Sequence, residues 1–269
     1  MKPIQEQIAD CLSLGYRNDA AQAKVAHDIV LLAMHRCGFK ANSTVKGGVL
    51  MSSLTGDVRR ATMDMDIDFI NYSISNASIA RFVKRMTKAM PEAEIRMIGS
   101  PMELKHEDYR GKRIYIAVKD ASISRRIRTK IDIGVHTIEE LAQVEFSFHT
   151  GSGEEMVNLL ANSPEQIFAE KLLSLLRHGA NTNRPKDIFD MYYLSSRLNM
   201  ERLRNYIALT IYRNPKCRAN NHADMIRLVR LIFGLNTFVV KLTRARANWL
   251  QISTHVALTA LDHFLAELA

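Results

Sequence analysis

The sequence predicts an α/β (α+β) domain built on a mixed sheet, followed by an α-helical bundle. Three observations carry this. Residues 62–71 (TMDMDIDFIN) alternate polar and apolar side chains, the period-two pattern of a half-buried strand. Between residues 94 and 150 the stretches EIRMI, KRIYIAVK, IRTKIDIGV and VEFSFHT are rich in β-branched and aromatic residues and joined by short polar segments. From residue 164 onward the apolar spacing is helical. The change falls at Gly151-Ser152-Gly153, so the expected units are residues 1–150 and 151–269.

In chain order, residues 18–36 read as a helix with Val25, Ile29, Leu32 and Ala33 at helical spacing. Residues 44–46 lead into Gly47-Gly48, and a short helix at 49–54 follows. After the alternating strand, a helix starts at Asn76 or Ser78 and ends near Pro91. The β region comes next. The helices of the second unit are expected at 164–178, 185–198, 200–212, 222–234 and 245–267. The first of these opens with Ser163 at the N-cap, Pro164 at N1 and Gln166 at N3, as in a capping box.

The chain has 269 residues, 47% hydrophobic and 24% charged, which excludes a disordered chain, a collagen-like repeat and a coiled-coil rod. The first residues, MKPIQEQIADCLSLGY, do not form a signal peptide, and no apolar run approaches the roughly 20 residues that span a bilayer. Three widely spaced cysteines suit a reducing compartment, so a cytoplasmic protein without membrane contact is expected. The net charge of +9 is uneven: residues 105–130 hold nine Lys/Arg against three Asp/Glu, and residues 200–269 hold ten against four. Two basic regions around an acidic remainder suggest a polyanion held against carboxylates.

Residues two apart on a strand face the same way, so Asp64, Asp66 and Asp68 line one face and Met65, Ile67 and Phe69 the other. Three like charges on one strand face repel, and a divalent cation removes that repulsion. Carboxylates at i and i+2 can jointly hold Mg²⁺, a hard ion that prefers oxygen. In IRTKIDIGV, Asp132 sits on the polar face between Lys130 and Gly134. If that strand lies beside 62–71, Asp132 joins Asp64 and Asp66 in a two-metal phosphoryl-transfer site. Gly47-Gly48 opens a helix, whose N–H groups can cradle a phosphate, with Ser52 one turn in. This order, Gly-Gly before D-x-D before a third Asp, resembles the signature of the nucleotidyltransferase fold of polymerase-β type, which is the expected fold.

In the helical unit Lys171 and Arg177 read by spacing as a solvated helix face, and Asp187 as an acid in a first helical turn. Four segments nevertheless resemble the AbiEii/AbiGii toxin family of nucleotidyltransferases, which includes the mycobacterial MenT toxins. They are Lys46-Gly47-Gly48, the run RATMDMD from Arg60 to Asp66, Glu170-Lys171-Leu172 through Arg177, and RPKDIFDMY from Arg184 to Tyr192.

The resemblance implies a bilobed, metal-dependent, NTP-using toxin of a type IV toxin–antitoxin system, with its active site between the lobes. By position it implies catalytic roles for Asp64, Asp66, Lys171 and Asp187. Gly48 and Ser52 would by position contact the triphosphate, and the full expected nucleotide-binding set is Gly47, Gly48, Ser52, Arg60, Thr62, Arg177, Arg184, Lys186 and Asp190. The resemblance also implies that Asp64 and Asp66 hold Mg²⁺, and the strand pattern adds Asp132 to the expected metal ligands. Asp66/Asp68 is the alternative metal pair, and the preceding Arg-x-Thr-x favours Asp64/Asp66. The expected acceptor is the 3′ end of tRNA or another RNA, and the expected partners are that RNA and a cognate antitoxin, with the toxin itself a monomer. Transfer to a small-molecule or protein hydroxyl is the first alternative, and an RNA- or nucleotide-binding regulator without turnover the second.

Overall fold

The alternating stretch forms β2 (Asp64–Phe69) because its apolar set, Met65, Ile67 and Phe69, is fully buried while Asp64 and Asp66 stay partly open. The computed structural model describes residues 1–105, 110–138 and 140–268. Residues 106–109 of the basic segment 105–130 lie outside the described residues. The chain divides into two compact units, Met1–Asn162 and Ser163–Ala269.

The first unit contains α1 (Ile4–Ser13), α2 (Asn18–Arg36), β1 (Ser43–Lys46), α3 (Gly47–Thr55), β2, α4 (Asn76–Ala89), β3 (Glu94–Lys105), β4 (Arg110–Lys119), β5 (Ile127–Val135), β6 (Val144–Phe148) and β7 (Val157–Ala161). The strands form one mixed sheet in the order β3-β4-β5-β2-β1-β7-β6. β2 and β5 run parallel, as do β1 and β7, and the other neighbours are antiparallel. A strand follows Gly151-Ser152-Gly153: β7 completes this sheet before the helical unit begins.

Strand alternation gives the sheet two unlike faces. Val45, Met65, Ile67, Ile114, Ile116, Ile131 and Ile133 are buried on one of them. Helices α2 and α4 pack there. Helix α2 is buried nearly all round, well beyond the stripe of Val25, Ile29, Leu32 and Ala33 that its spacing predicts. Phe39, Phe69, Tyr72 and Phe82 cluster at the end of β2, edge to face except for the tilted Phe39–Phe82 pair, whose centroids are 4.5 Å apart. The opposite face carries the polar residues of β1, β2 and β5.

The second unit is α-helical, with α5 (Pro164–His178), α6 (Lys186–Ser195), α7 (Met200–Ile207), α8 (His222–Phe233), α9 (Asn236–Arg244) and α10 (Thr254–Ala266). The Ser163 side chain accepts the Gln166 N–H, the cap its sequence predicts. A π-helical turn, Ala208–Tyr212, continues α7. The expected single helix at 245–267 is shorter: α10 starts at Thr254, and the segment before it turns at Gln251 (φ +57°), where Asn248 Nδ2 donates to the Ile252 carbonyl. Among the described residues no helix is long and apolar enough to cross a membrane.

Candidate active site

Asp64, Asp66 and Asp68 share the polar face of β2, as the alternation predicts, and the neighbouring strands supply the charges that keep them together. Lys46 of β1 lies opposite Asp66, and on the other side Asp66 faces Asp132 of β5. Lys130 is 2.7 Å from Asp64, Lys46 is 2.8 Å from Asp68, and Arg113 of β4 forks onto Asp132 at 2.7 and 2.8 Å. That fork raises the Arg113 pKa above its ordinary value, so the guanidinium stays charged. Asp68 is only 7% exposed, while Asp64 and Asp66 are half-buried and open to solvent. Among the described residues one Asp68 oxygen, Oδ1, is buried without a hydrogen-bond partner.

Gly47 and Gly48 open α3 beside these carboxylates. Gly47 adopts φ +63°, and a Cβ there would collide with Asp66 Oδ2. A Cβ on Gly48 would collide with Thr62 Oγ1. The backbone of the helix start thus lies against Asp66 and Thr62 with no room for a side chain. Thr62 Oγ1 in turn donates to the Asp64 carbonyl at 3.2 Å. Gly47→Ala should displace Asp66 and also cost about 1–2 kcal/mol of backbone strain. Gly56→Ala is the control, because Gly56 has φ +62° and open space around it. Urea unfolding should show the strain in both variants, and loss of nucleotidyl transfer in Gly47→Ala alone.

Ser52 lies one turn into α3, near Tyr16, Lys24, His27 and Asp28 of the first two helices. His27 is 2% exposed, and burial followed by the Lys24 charge lowers its pKa to about 3. Its Nε2 is buried without a hydrogen-bond partner among the described residues. A histidine neutral in the fold but protonated near pH 6.5 when unfolded makes the unfolded chain bind more protons as pH falls. Stability should therefore be full above about pH 6.5 and decline towards pH 3, by up to ~1.4 kcal/mol per unit. The urea midpoint of His27→Gln, followed from pH 7 to pH 4, should fall less steeply than that of wild type.

Arg60 is 3% exposed, in the turn Val58–Arg60 that leads into β2. It is held inside the fold rather than presented at the surface.

The expected residues of the helical unit form a second cluster. Lys171 is 5% exposed rather than solvated, with its ammonium 2.6 Å from Asp187 Oδ1 and 2.8 Å from Asp190 Oδ2. Arg184 Nε lies 2.9 Å from Asp187 Oδ2. The indole N–H of Trp249 donates to Asp190 Oδ1 at 3.0 Å, closing the cluster. Trp249 is the residue that sequence reasoning missed. It is the single tryptophan of the chain, yet it lies 59 residues from Asp190. Arg177 sits half-buried in the last turn of α5, and Lys186 half-buried at the start of α6.

The profile of the family described as "Nucleotidyl transferase AbiEii toxin, Type IV TA system" matches residues 30–257. No curated protein is significantly similar in sequence. Similar solved structures include JHP933 from Helicobacter pylori, at 14% identity and TM-score 0.46, covering 90% of this chain and 94% of that one. An antigenic nucleotidyltransferase-like protein from Paracoccidioides brasiliensis is 14% identical at TM-score 0.45, covering 82% and 93%. The family match spans most of both units, including Gly47-Gly48, the β2 carboxylates and the Lys171 cluster. This chain belongs to the AbiEii nucleotidyl transferase toxin family of type IV toxin–antitoxin systems, and it is a nucleotidyltransferase.

Proposed function

We propose that this toxin transfers a nucleoside monophosphate from an NTP to the 3′ hydroxyl of an RNA, with tRNA the acceptor to test first. One observation supports this above the others: the start of α3 is packed against Asp66 and Thr62 so closely that only Gly47 and Gly48 fit. A phosphate cradle and a carboxylate strand then share one face of the sheet.

Mg²⁺ suits the donor set. The candidate ligands are carboxylate oxygens at i and i+2, with Asp132 directly across from Asp66. Among the described residues no three His, Cys, Asp or Glu side chains converge as a finished metal cage. Mg²⁺ is commonly held by only one or two carboxylates plus substrate phosphates, which Asp64 and Asp66 can supply. Asp68 is buried against Lys46, and this favours Asp64/Asp66 over Asp66/Asp68. When bound, the cation would neutralise the triphosphate and stabilise the departing pyrophosphate.

The protein's own contribution is positioning and charge, as in other phosphoryl transfers. The N–H groups at the start of α3 hold the triphosphate, and Ser52 supplies a hydroxyl one turn on. Asp132, oriented by Arg113, marks the side of the site from which the acceptor hydroxyl approaches. The acceptor hydroxyl gives up its proton to water as its oxygen bonds the α-phosphorus, the bond from that phosphorus to the oxygen bridging to the β-phosphate breaks, and pyrophosphate leaves. Asp187 and Asp190 fix the Lys171 ammonium, while Arg177, exposed Arg184 and Lys186 meet phosphate charge. In the cell this reading corresponds to a cytoplasmic monomer that blocks translation until a cognate antitoxin neutralises it.

The test is incubation with total RNA, Mg²⁺ and each labelled NTP, followed by sequencing of RNA 3′ ends. Added nucleotides at the 3′ ends of one RNA class support the proposal. Label on protein, or on a small molecule alone, contradicts it.

A further inference from the structure

The open face of the sheet carries a cationic row that the catalytic machinery does not use. On β5, Arg128, Lys130 and Asp132 point to the same side as Asp64 and Asp66, while Ile127, Thr129 and Ile131 are buried on the other. Paired residues on neighbouring strands share a face. Three successive rungs can therefore be read outward from the carboxylates. The first is Asp66, Asp132 and Arg113. The second is Asp64, Lys130 and Tyr115. The third is Arg128, Ala117 and Arg96, running out to β3.

The third rung is shaped as a cleft. Ala117 is buried between two exposed arginines, so Arg128 and Arg96 stand on either side of a small residue with nothing between them. With Arg126 they wall a shallow depression of about 220 Å³ floored by Ala117 and Gly99. Arg126 is paired at 2.9 Å with Glu94, whereas Arg96 and Arg128 make no ion pair among the described residues. On the second rung Tyr115 is 38% exposed, an aromatic ring displayed between the carboxylates and the arginines. A ring next to unpaired guanidiniums is the combination that tracks a single-stranded nucleic acid: bases stack on the aromatic and cations follow the phosphates. Successive rungs on this face are about 6.8 Å apart, a stride that an extended strand can follow.

Building on the RNA-acceptor reading, we propose that Arg96, Arg128 and Tyr115 form the binding track for a single-stranded RNA 3′ segment. The segment's terminal nucleotide lies at Asp64 and Asp66, and the preceding phosphates run across β5 and β4 to β3. The acceptor's sequence-independent affinity then resides on the sheet rather than on the basic C-terminal helices.

Equilibrium binding of a fluorescein-labelled single-stranded RNA 10-mer to the full chain, without NTP and over a salt series, tests this independently of turnover. Arg96→Gln/Arg128→Gln should weaken binding at least tenfold. It should also reduce the slope of log affinity against log salt by about 1.4, since each single-strand phosphate contact contributes roughly 0.7. Tyr115→Ala should lose about tenfold and Tyr115→Phe should retain binding, because stacking needs the ring and not the hydroxyl. Arg227→Gln/Arg230→Gln on α8 removes the same charge elsewhere and should change little. The inference is overturned if wild type does not bind the 10-mer, if the Arg96/Arg128 pair leaves affinity and slope unchanged, or if the α8 pair lowers them equally. RNA that binds as described but accepts no nucleotide would contradict the RNA-acceptor reading and leave the track standing.

Discussion

Asp66→Asn is expected to lower nucleotidyl transfer by about 10³-fold while leaving the fold intact. Asparagine keeps the shape that packs against Gly47 but removes the charge that would gather cation and triphosphate. Losing one such anchor forfeits several kcal/mol of transition-state stabilisation, and each 1.36 kcal/mol is about tenfold in rate. Asp64→Asn should behave alike, and its loss also frees Lys130, now 2.7 Å away. Steady-state transfer rates, set beside urea unfolding curves that superimpose on wild type, separate this outcome from misfolding. A transfer rate within tenfold of wild type would remove Asp66 from the catalytic set.

Lys171→Met is expected to destabilise the protein by about 3–5 kcal/mol, the cost of leaving a buried charge without its partner. Here two carboxylates lose one cation: Asp187 and Asp190 both contact the Lys171 ammonium, and Asp190 is fully buried. Neutralising all three together, as Lys171→Met with Asp187→Asn and Asp190→Asn, should recover much of the loss, because no buried charge then stands alone. The single tryptophan gives a direct readout. Trp249 donates to Asp190 and packs beside Tyr193, so its emission reports this cluster. In Lys171→Met the emission should shift to the red at lower urea than in wild type. Equal stability of the two proteins would mean that the cluster is solvated, contrary to the burial of Lys171.

The sheet was legible in the sequence wherever periodicity was local. The run 62–71 announced β2, and the same period on 127–135 placed Asp132 on the carboxylate side. The capping residues before α5 marked its start at Pro164. What escaped is set by contacts distant along the chain. Lys171 reads as a solvated helix residue because its acids lie on the next helix, and Trp249 comes from a non-helical segment beyond α9. The break before α10 carries neither Pro nor Gly. It is made by an asparagine bonding a nearby carbonyl and by Gln251 in a left-handed conformation. Strand β7 escaped because five residues, VNLLA, are too few to show a period, and their place in the sheet depends on β1, more than a hundred residues earlier. The cations that hold the acidic face together, Lys46, Lys130 and Arg113, become partners only through strand register.

On the proposed reading the toxin adds a nucleotide to an RNA 3′ hydroxyl, using the carboxylates beside Gly47 and Gly48. The most direct measurement compares one RNA in two forms: intact, and oxidised with periodate so that its terminal hydroxyls are destroyed. Each form is incubated with labelled NTP and Mg²⁺. Label on the intact RNA only, absent with Asp66→Asn, is the predicted result. Equal labelling of the oxidised RNA, or undiminished labelling by Asp66→Asn, would contradict the account.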